Sequence, residues 1–405
     1  MQTVEGLSGP THRRGTVITA LGITQILAWG SSYYLPAVLA KPISADTGWS
    51  LTWVVGGLSI GLLAAGLASP YVGRIIESRG GRPVLITSAM LLAIGLFGLG
   101  FAQSLPVYIG AWIIMGLGMG AGLYDPAFAT LGRIYGTGAR RAITTLTLFG
   151  GFASTVCWPL SAFLTAELGW RGACLIYSGI QVGISLPIYL FALPREGVRS
   201  LQGDRALPAQ INEGTVGSGS KSALLIGLVA TALTISAVIS STMSVHMLTI
   251  LQSRGIALAE AVTLGTLVGP AQVGARFIEM LVARYHHPIW TKVASVSFVA
   301  AGMLFFWAGL PIISVALMLY GAGIGLESIA RGTLPLAMFG PDGYAALMGK
   351  LALPSLIAQA AAPSIGAVLI ETLGSSGTLG TLAITALLNL LVVASLVGMR
   401  WRMRH

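Results

Sequence analysis

The sequence predicts an all-α membrane protein: twelve transmembrane helices in two pseudo-symmetric six-helix bundles, with the N- and C-termini cytoplasmic. Three observations lead there. The chain is 55% hydrophobic and only 9% charged, with a mean hydropathy of +0.82, whereas a soluble domain carries about a quarter charged residues. Its apolar residues fall into twelve runs, each close to the roughly 20 residues that a crossing needs. Its basic residues sort to one side. Of 23 Lys and Arg, 17 fall on one side, three on the other (Lys41, Arg171, Arg254) and three within or at the edge of a run (Arg276, Arg331, Lys350). That asymmetry assigns the crowded side to the cytoplasm. The net charge of +10 is therefore a topology signal, and no nucleic-acid partner is expected.

The predicted spans are 15–40, 51–73, 84–102, 107–132, 143–166, 171–193, 223–250, 259–282, 290–309, 312–337, 346–370 and 377–399. Lipid offers no backbone hydrogen bonds, so each must be a helix. The first run, Gly15 to Ala40, exceeds the 7–15 apolar residues of a cleaved signal peptide. Residues 194–222 are polar and rich in Gly and Ser, which reads as a cytoplasmic linker. The predicted organisation is a tail (1–14), a first bundle (15–193), the linker (194–222), a second bundle (223–399) and a short tail (400–405).

The bundles repeat. "SLPVYIGAWIIMGLGMGAGLYD" at 104–125 parallels "GLPIISVALMLYGAGIGLES" at 309–328, both leading from Leu-Pro into Gly-x-Gly-x-Gly. "PLSAFLTAELG" at 159–169 parallels "PSIGAVLIETLG" at 363–374, aligning Pro159 with Pro363 and Glu167 with Glu371. A duplicated unit suits a site at the interface between halves.

The loop after the second span reads "GRIIESRGGRP", with Gly73, Glu77, Gly80 and Arg82. It resembles the signature between helices two and three of the major facilitator superfamily, and the spans, linker and repeat extend the resemblance over the whole chain. Gly73 allows close helix packing and Gly80 a special backbone angle. The resemblance implies that the acid caps a neighbouring helix N-terminus, where negative charge is favoured, and helps hold an outward-facing state. Glu77 stands where the family has Asp, and Ser78 and Gly81 where it has basic residues. The second-half counterpart, with Met280 and Arg284, has lost the glycine and the acid. Trp112 stands where many proton-coupled members have Arg. The antiporter Gly-Pro pattern is reduced to Trp158-Pro159.

The family implies a secondary active transporter working by alternating access, with a small-molecule substrate, a proton as coupling ion and lipid around a functional monomer. A bacterial inner (cell) membrane is the expected location. There is no Walker loop, and no cofactor, metal site or enzymatic activity is expected. The stretch His246 to Arg276 resembles the monocarboxylate and oxalate:formate porters, whose helix-eight Arg binds the substrate carboxylate. That resemblance makes Arg276 a carboxylate-binding candidate, since a guanidinium fork matches a carboxylate. Gln272 sits where monocarboxylate porters place Asp, and an internal pair with Glu279 is the alternative for Arg276.

Ionisable residues inside a membrane are costly and mark function by default. Glu327 and Arg331, spaced i, i+4, can pair on one helix face or serve a proton and an anion respectively. Asp125 is either a proton carrier or a gate partner of Arg79 or Arg82. Glu279 is a third proton candidate. His246 is an outer hydrogen-bonder or a pH sensor, and Lys350 either snorkels to the interface or, as the resemblance to oxalate porters implies, is a helix-eleven cation of the site. Gln25, Trp29, Tyr33 and Tyr34, with the Ser/Thr run Ser236 to Ser244, offer polar groups to a central cavity, at least one of the two tyrosines facing it and the other free to join an interfacial aromatic belt. Arg276 and Arg331 together lean towards an organic anion, and the apolar helices towards efflux of an amphipathic compound. Cys157 and Cys174 leave a trivalent metalloid open.

Overall fold

The computed structural model describes residues 14–195, 218–309 and 312–402. Residues 1–13, most of the predicted linker and residues 403–405 lie outside them. The described residues form helices and connections, with no strand among them. The first half contains α1 (Arg14–Gly30), α2 (Leu35–Thr47), α3 (Leu51–Arg79), α4 (Gly81–Gly100), α5 (Leu105–Gly122), α6 (Tyr124–Tyr135), α7 (Ala139–Gly151), α8 (Ala153–Ile180) and α9 (Leu186–Ala192). The second half contains α10 (Ser218–Ser253), α11 (Leu258–Gly265), α12 (Val268–Val282), α13 (Pro288–Trp307), α14 (Ile313–Phe339) and α15 (Tyr344–Arg402).

Seven helical stretches among the described residues are long and apolar enough to cross a membrane. Two of them fold back on themselves. In α8 the backbone leaves the helix at Gly169 (φ 70°, ψ 171°). The Tyr177 hydroxyl then meets Ser161 Oγ at 2.7 Å, and Tyr177 also donates to Cys157 O at 3.2 Å. A straight helix would hold residues 16 apart in sequence about 24 Å apart. In α15 the break is at Gly374 (φ 67°, ψ 176°). These two glycines end the paired sequences 159–169 and 363–374, and they adopt the same conformation. A positive φ of this kind is open to glycine at little cost.

Four spans expected to be single helices are broken: 15–40, 107–132, 143–166 and 259–282. Proline causes most of the breaks, because it lacks an N–H and clashes with the preceding turn. Pro36 opens α2, Pro126 follows the break at Leu123, and Pro270 follows that between α11 and α12. The fourth break follows the glycine pair Gly150-Gly151.

The paired glycine runs hold equivalent places. A Cβ added at Gly116, Gly118 or Gly120 of α5 would come within 3.0 Å of α3 or α4. One added at Gly321, Gly323 or Gly325 of α14 would come within 3.0 Å of α12 or α13. Small residues at these positions let backbones approach, which drives helix association where lipid is as apolar as the side chains.

One end of the molecule is basic, carrying Arg74, Arg79, Arg82, Arg133, Arg140, Arg141 and Arg284. Arg14 belongs there too, donating to Gly138 O at 2.5 Å. At the opposite end Asp46 accepts from Trp170 Nε1 at 3.0 Å and pairs with Arg171. Those bonds, Trp170 first, hold the exposed Asp46 carboxyl below the usual carboxylate range. Lys292, assigned by sequence to the basic side, is instead fully buried inside α13.

Candidate functional site

Arg276 lies on α12 and is 5% exposed. Its Nε donates to Gly325 O at 3.3 Å, its Nη1 to Thr147 O at 3.1 Å and its Nη2 to Gln272 Oε1 at 3.4 Å. Thr147 belongs to the other half, near the carbonyl end of α7, where the helix dipole favours a cation. Gly151 makes the approach possible, since a Cβ there would collide with Nη1. The internal pair with Glu279 is absent. Among the described residues Arg276 forms no ion pair, and all three partners are neutral acceptors. A guanidinium has five N–H donors, so this cation is buried with its charge uncompensated by any carboxylate.

Beside it stands a chain of aromatic rings. Tyr124 donates to the same Thr147 O at 3.5 Å, which brings its hydroxyl next to Arg276. The Tyr124 ring stacks on Phe128 at 5.1 Å and meets Trp29 at 4.9 Å. Trp29 meets Tyr33 at 5.3 Å and Tyr34 at 6.0 Å, and Tyr34 meets Trp158 at 6.1 Å. Gln25 sets the position of Trp29. Pro126 has no N–H to offer Gly122 O, so that carbonyl accepts from Gln25 Nε2 at 2.6 Å. Gln25 Oε1 in turn accepts from Trp29 Nε1 at 3.2 Å. Gln25 is therefore buried behind the ring it orients rather than offered to a cavity.

The charged residues pair differently from their sequence spacing. Glu327 and Arg331 do not bond to each other. Glu327 is held by Lys292 Nζ at 2.5 and 2.7 Å and by Ser295 Oγ at 2.8 Å. Lys292 also donates to Ser236 Oγ and Ala232 O. Arg331 reaches across to the first half, giving Asp125 a two-pronged pair at 2.6 and 2.8 Å. Asp125 is thus a partner of Arg331 and not of Arg79 or Arg82. Arg82 instead donates to Tyr189 O and Leu190 O at the end of α9. Arg331 cannot be an open anion site while Asp125 occupies its fork. Glu279 accepts from Thr291 at 2.7 Å, with His286 at 3.4 Å and Arg140 of the first half at 3.8 Å.

The halves touch at the basic end. Ala345 N, in the first turn of α15, donates to Glu77 Oε2 at 3.2 Å, and Arg133 donates to the Glu77 carbonyl. Gly73 lies against Ala345 and Gly349, where a Cβ would not fit. Gly80 joins α3 to α4 at φ 86°. Arg140 donates to His286 O at 2.6 Å, adding a contact between halves in the same region.

The Ser/Thr run of α10 faces α15 more than a cavity. Pro363 frees Gln359 O, which accepts from Ser241 Oγ at 3.0 Å. Thr242 donates to Ala362 O, and His246 Nε2 lies 2.8 Å from Pro363 O. Gln359 Nε2 donates to Tyr33 at 3.0 Å, the aromatic cluster's contact with the other half. Lys350 is exposed. Cys157 and Cys174 are both buried, and no three His, Cys, Asp or Glu among the described residues could hold a metal. Sequence reasoning missed Lys292, Tyr124 and Gln359. Lys292 was visible as a lysine just inside a predicted span. The other two carried no signal beyond polarity.

The family model of the Major Facilitator Superfamily matches residues 21–349, and the chain belongs to that family. It is an integral multi-pass membrane protein of that family. Mouse monocarboxylate transporter 11 is 32% identical over 142 residues, 35% of this chain and 30% of that protein. Rat monocarboxylate transporter 13 is 31% identical over 135 residues, 33% of this chain and 30% of that protein. The chain thus spans just under a third of the length of these relatives. Among solved structures, the human organic anion transporter MFSD10 (TETRAN) superposes with a TM-score of 0.71 at 17% identity, over 95% of this chain and 100% of that one. The transporter FucP, in the outward conformation, superposes with a TM-score of 0.70 at 12% identity, over 94% and 98% respectively.

Replacing Glu77 by Gln removes a charge from the N-terminus of α15. Such a charge contributes about 0.3–1 kcal/mol when exposed and up to about 2 when partly buried. Since 1.4 kcal/mol is tenfold in a population, Glu77→Gln is expected to populate a form parted at the basic end. Spin labels at the exposed Arg79 and Asp342 should report longer distances in the variant; an unchanged distribution would mean that the Glu77 charge does not hold the halves together.

Proposed function

We propose that this protein is a secondary active carrier of a small organic anion, bound at Arg276 and moved by alternating access with a proton as coupling ion. The halves, 15–193 and 223–399, cross the membrane six times each and rock about the site, joined by a cytoplasmic linker at 194–222. The observation that carries the reading is the buried, carboxylate-free guanidinium of Arg276. A charge so placed is stabilised fully only when an anion joins it. The relatives' name, monocarboxylate transporter, agrees with that chemistry, and so does the organic anion transporter among the structural neighbours.

An anion at Arg276 competes with Thr147 O for Nη1, so loading the site alters a bond between the halves. At the basic end, Glu77 to α15 and Asp125 to Arg331 must part before that side opens. Glu327 is proposed as the proton-accepting group: protonation removes the carboxylate that Lys292 and Ser295 hold, and a buried lysine left alone is costly. In this reading Asp125 and Glu279 belong to the closure and not to the proton path.

For Arg276, Ala should abolish uptake or exchange of a short carboxylate in proteoliposomes, while Lys keeps part of it, because a point charge cannot reproduce the fork. One charge-assisted contact is worth about 1.5–3 kcal/mol, roughly ten- to a hundred-fold in affinity. Normal transport by the Ala variant at matched expression would remove the anion site.

Glu327→Gln is expected to end dependence on the proton gradient and to spare counterflow exchange. Proton-driven transport that survives the substitution would leave the Glu327–Lys292 pair a structural one.

The crossing number is checked by alkaline phosphatase fusions, which are active only outside the cytoplasm. Fusions after Ala102 or Gly309 should be active and those after Gly136 or Arg195 silent; activity at Arg195 contradicts six crossings in the first half.

A further inference from the structure

We propose that the anion this site takes has an aromatic body: its carboxylate at Arg276, its ring along the Tyr124–Trp29–Tyr34–Trp158 face. The inference rests on the anion reading above and narrows it to aromatic monocarboxylates. Three observations carry it.

The first is continuity. Tyr124 shares the Thr147 carbonyl with Arg276, so the ring chain begins at the cation itself. From there it passes through Trp29 and Tyr34 to Trp158, each ring 4.9–6.1 Å from the next. Aromatic rings prefer offset or edge-on partners at such separations, so a ligand ring beside Tyr34 extends a pattern already present.

The second is space. Against Trp158 lies an open groove of about 490 Å³, lined by Ala37, Val38, Ser154, Thr155, Pro159 and Ala162. Ligand pockets of about 300–1,000 Å³ suit molecules well beyond a three-carbon acid. Trp158 is 45% exposed, leaving much of its ring uncovered by protein. The lining offers two hydroxyls and no charge, which suits an apolar body whose polar end lies elsewhere.

The third is rigidity. Gln25, locked to Gly122 O, holds the Trp29 indole, and Gln359 holds the Tyr33 hydroxyl. A ring face fixed before binding loses little entropy when a ligand stacks on it. The polar bonds that orient these rings also point their hydrogen-bonding groups away, so the faces left over recognise shape and apolar surface.

The test is isothermal titration of the purified full chain with 3-phenylpropanoate, propanoate and 3-phenylpropanamide. Burying the extra ring should make phenylpropanoate bind at least about tenfold more tightly than propanoate, with the amide weaker than the acid. Trp158→Ala, and Ala162→Phe which fills the groove, should each lower the ratio of the two acid affinities. Equal affinity for the two acids overturns the aromatic-body inference and leaves the anion site standing. So does a ratio that neither variant changes. An amide that binds as well as its acid, or an absence of binding by both acids, overturns the anion reading and this inference with it.

Discussion

In an apolar surrounding a backbone carbonyl must find a donor within the protein, and much of this structure follows from where carbonyls are released. Proline releases them. Pro126 strips Gly122 O of its amide, and Gln25 fills the place and thereby holds Trp29. Pro363 strips Gln359 O, and Ser241 fills it, binding α10 to α15 beside the residue that holds Tyr33. An unsatisfied polar group in such a setting costs several kcal/mol, far more than an ordinary hydrogen bond contributes. The breaks that place the aromatic face are therefore kept open by the bonds that repair them.

The buried charges divide by whether their bonds cross between halves. Lys292 and Glu327 both belong to the second half, so their pair does not join the halves. Asp125 with Arg331, Glu77 with α15 and Arg140 with Glu279 each join one half to the other. In the transport cycle proposed above, these bonds form only while that end is closed, and they bias the molecule towards closure by their own strength. Breaking a buried pair by removing one partner is expensive because the other charge stays behind. The layer near α15 therefore works as a unit, in which Glu77 contributes a modest share and the two-pronged Asp125–Arg331 pair a larger one.

Much of this fold was legible in the sequence. Hydropathy marked where apolar helices run, glycine runs marked where backbones meet, and the paired stretches 159–169 and 363–374 anticipated two glycines with matching φ and ψ. Helix breaks were harder, because a proline read in a hydropathy window is one more tolerated residue until its orphaned carbonyl is sought. The pairing of the charged residues was not legible. Spacing of i, i+4 put Glu327 and Arg331 on one face, but a side chain of that length reaches several neighbours, and helix periodicity says nothing about those on other helices. Lys292 was lost for a related reason: a basic residue two positions inside a predicted boundary reads as an end marker, although its helix begins earlier and its ammonium points inward. The Glu77 contact was readable because "GRIIESRGGRP" resembles the family signature, which implied that its acid caps a neighbouring helix N-terminus.

Arg276 is the exception to the rule that buried charges are paired, and its position explains how such a charge can be tolerated. Its guanidinium is shared among carbonyls of α7 and α14 and the amide of Gln272, dipoles that soften the charge without cancelling it. A carboxylate there would satisfy the residue completely, but a resident one would also occupy the fork permanently, as Asp125 occupies that of Arg331. The neutral Gln272 one turn before Arg276 keeps the fork available while still accepting a hydrogen bond. A ligand shifts a conformational equilibrium only through its differential affinity for the two states. In the proposed cycle, a cation that spends part of its bonding on Thr147 of the opposite half supplies that difference, since filling the site and loosening the contact between halves draw on the same donor.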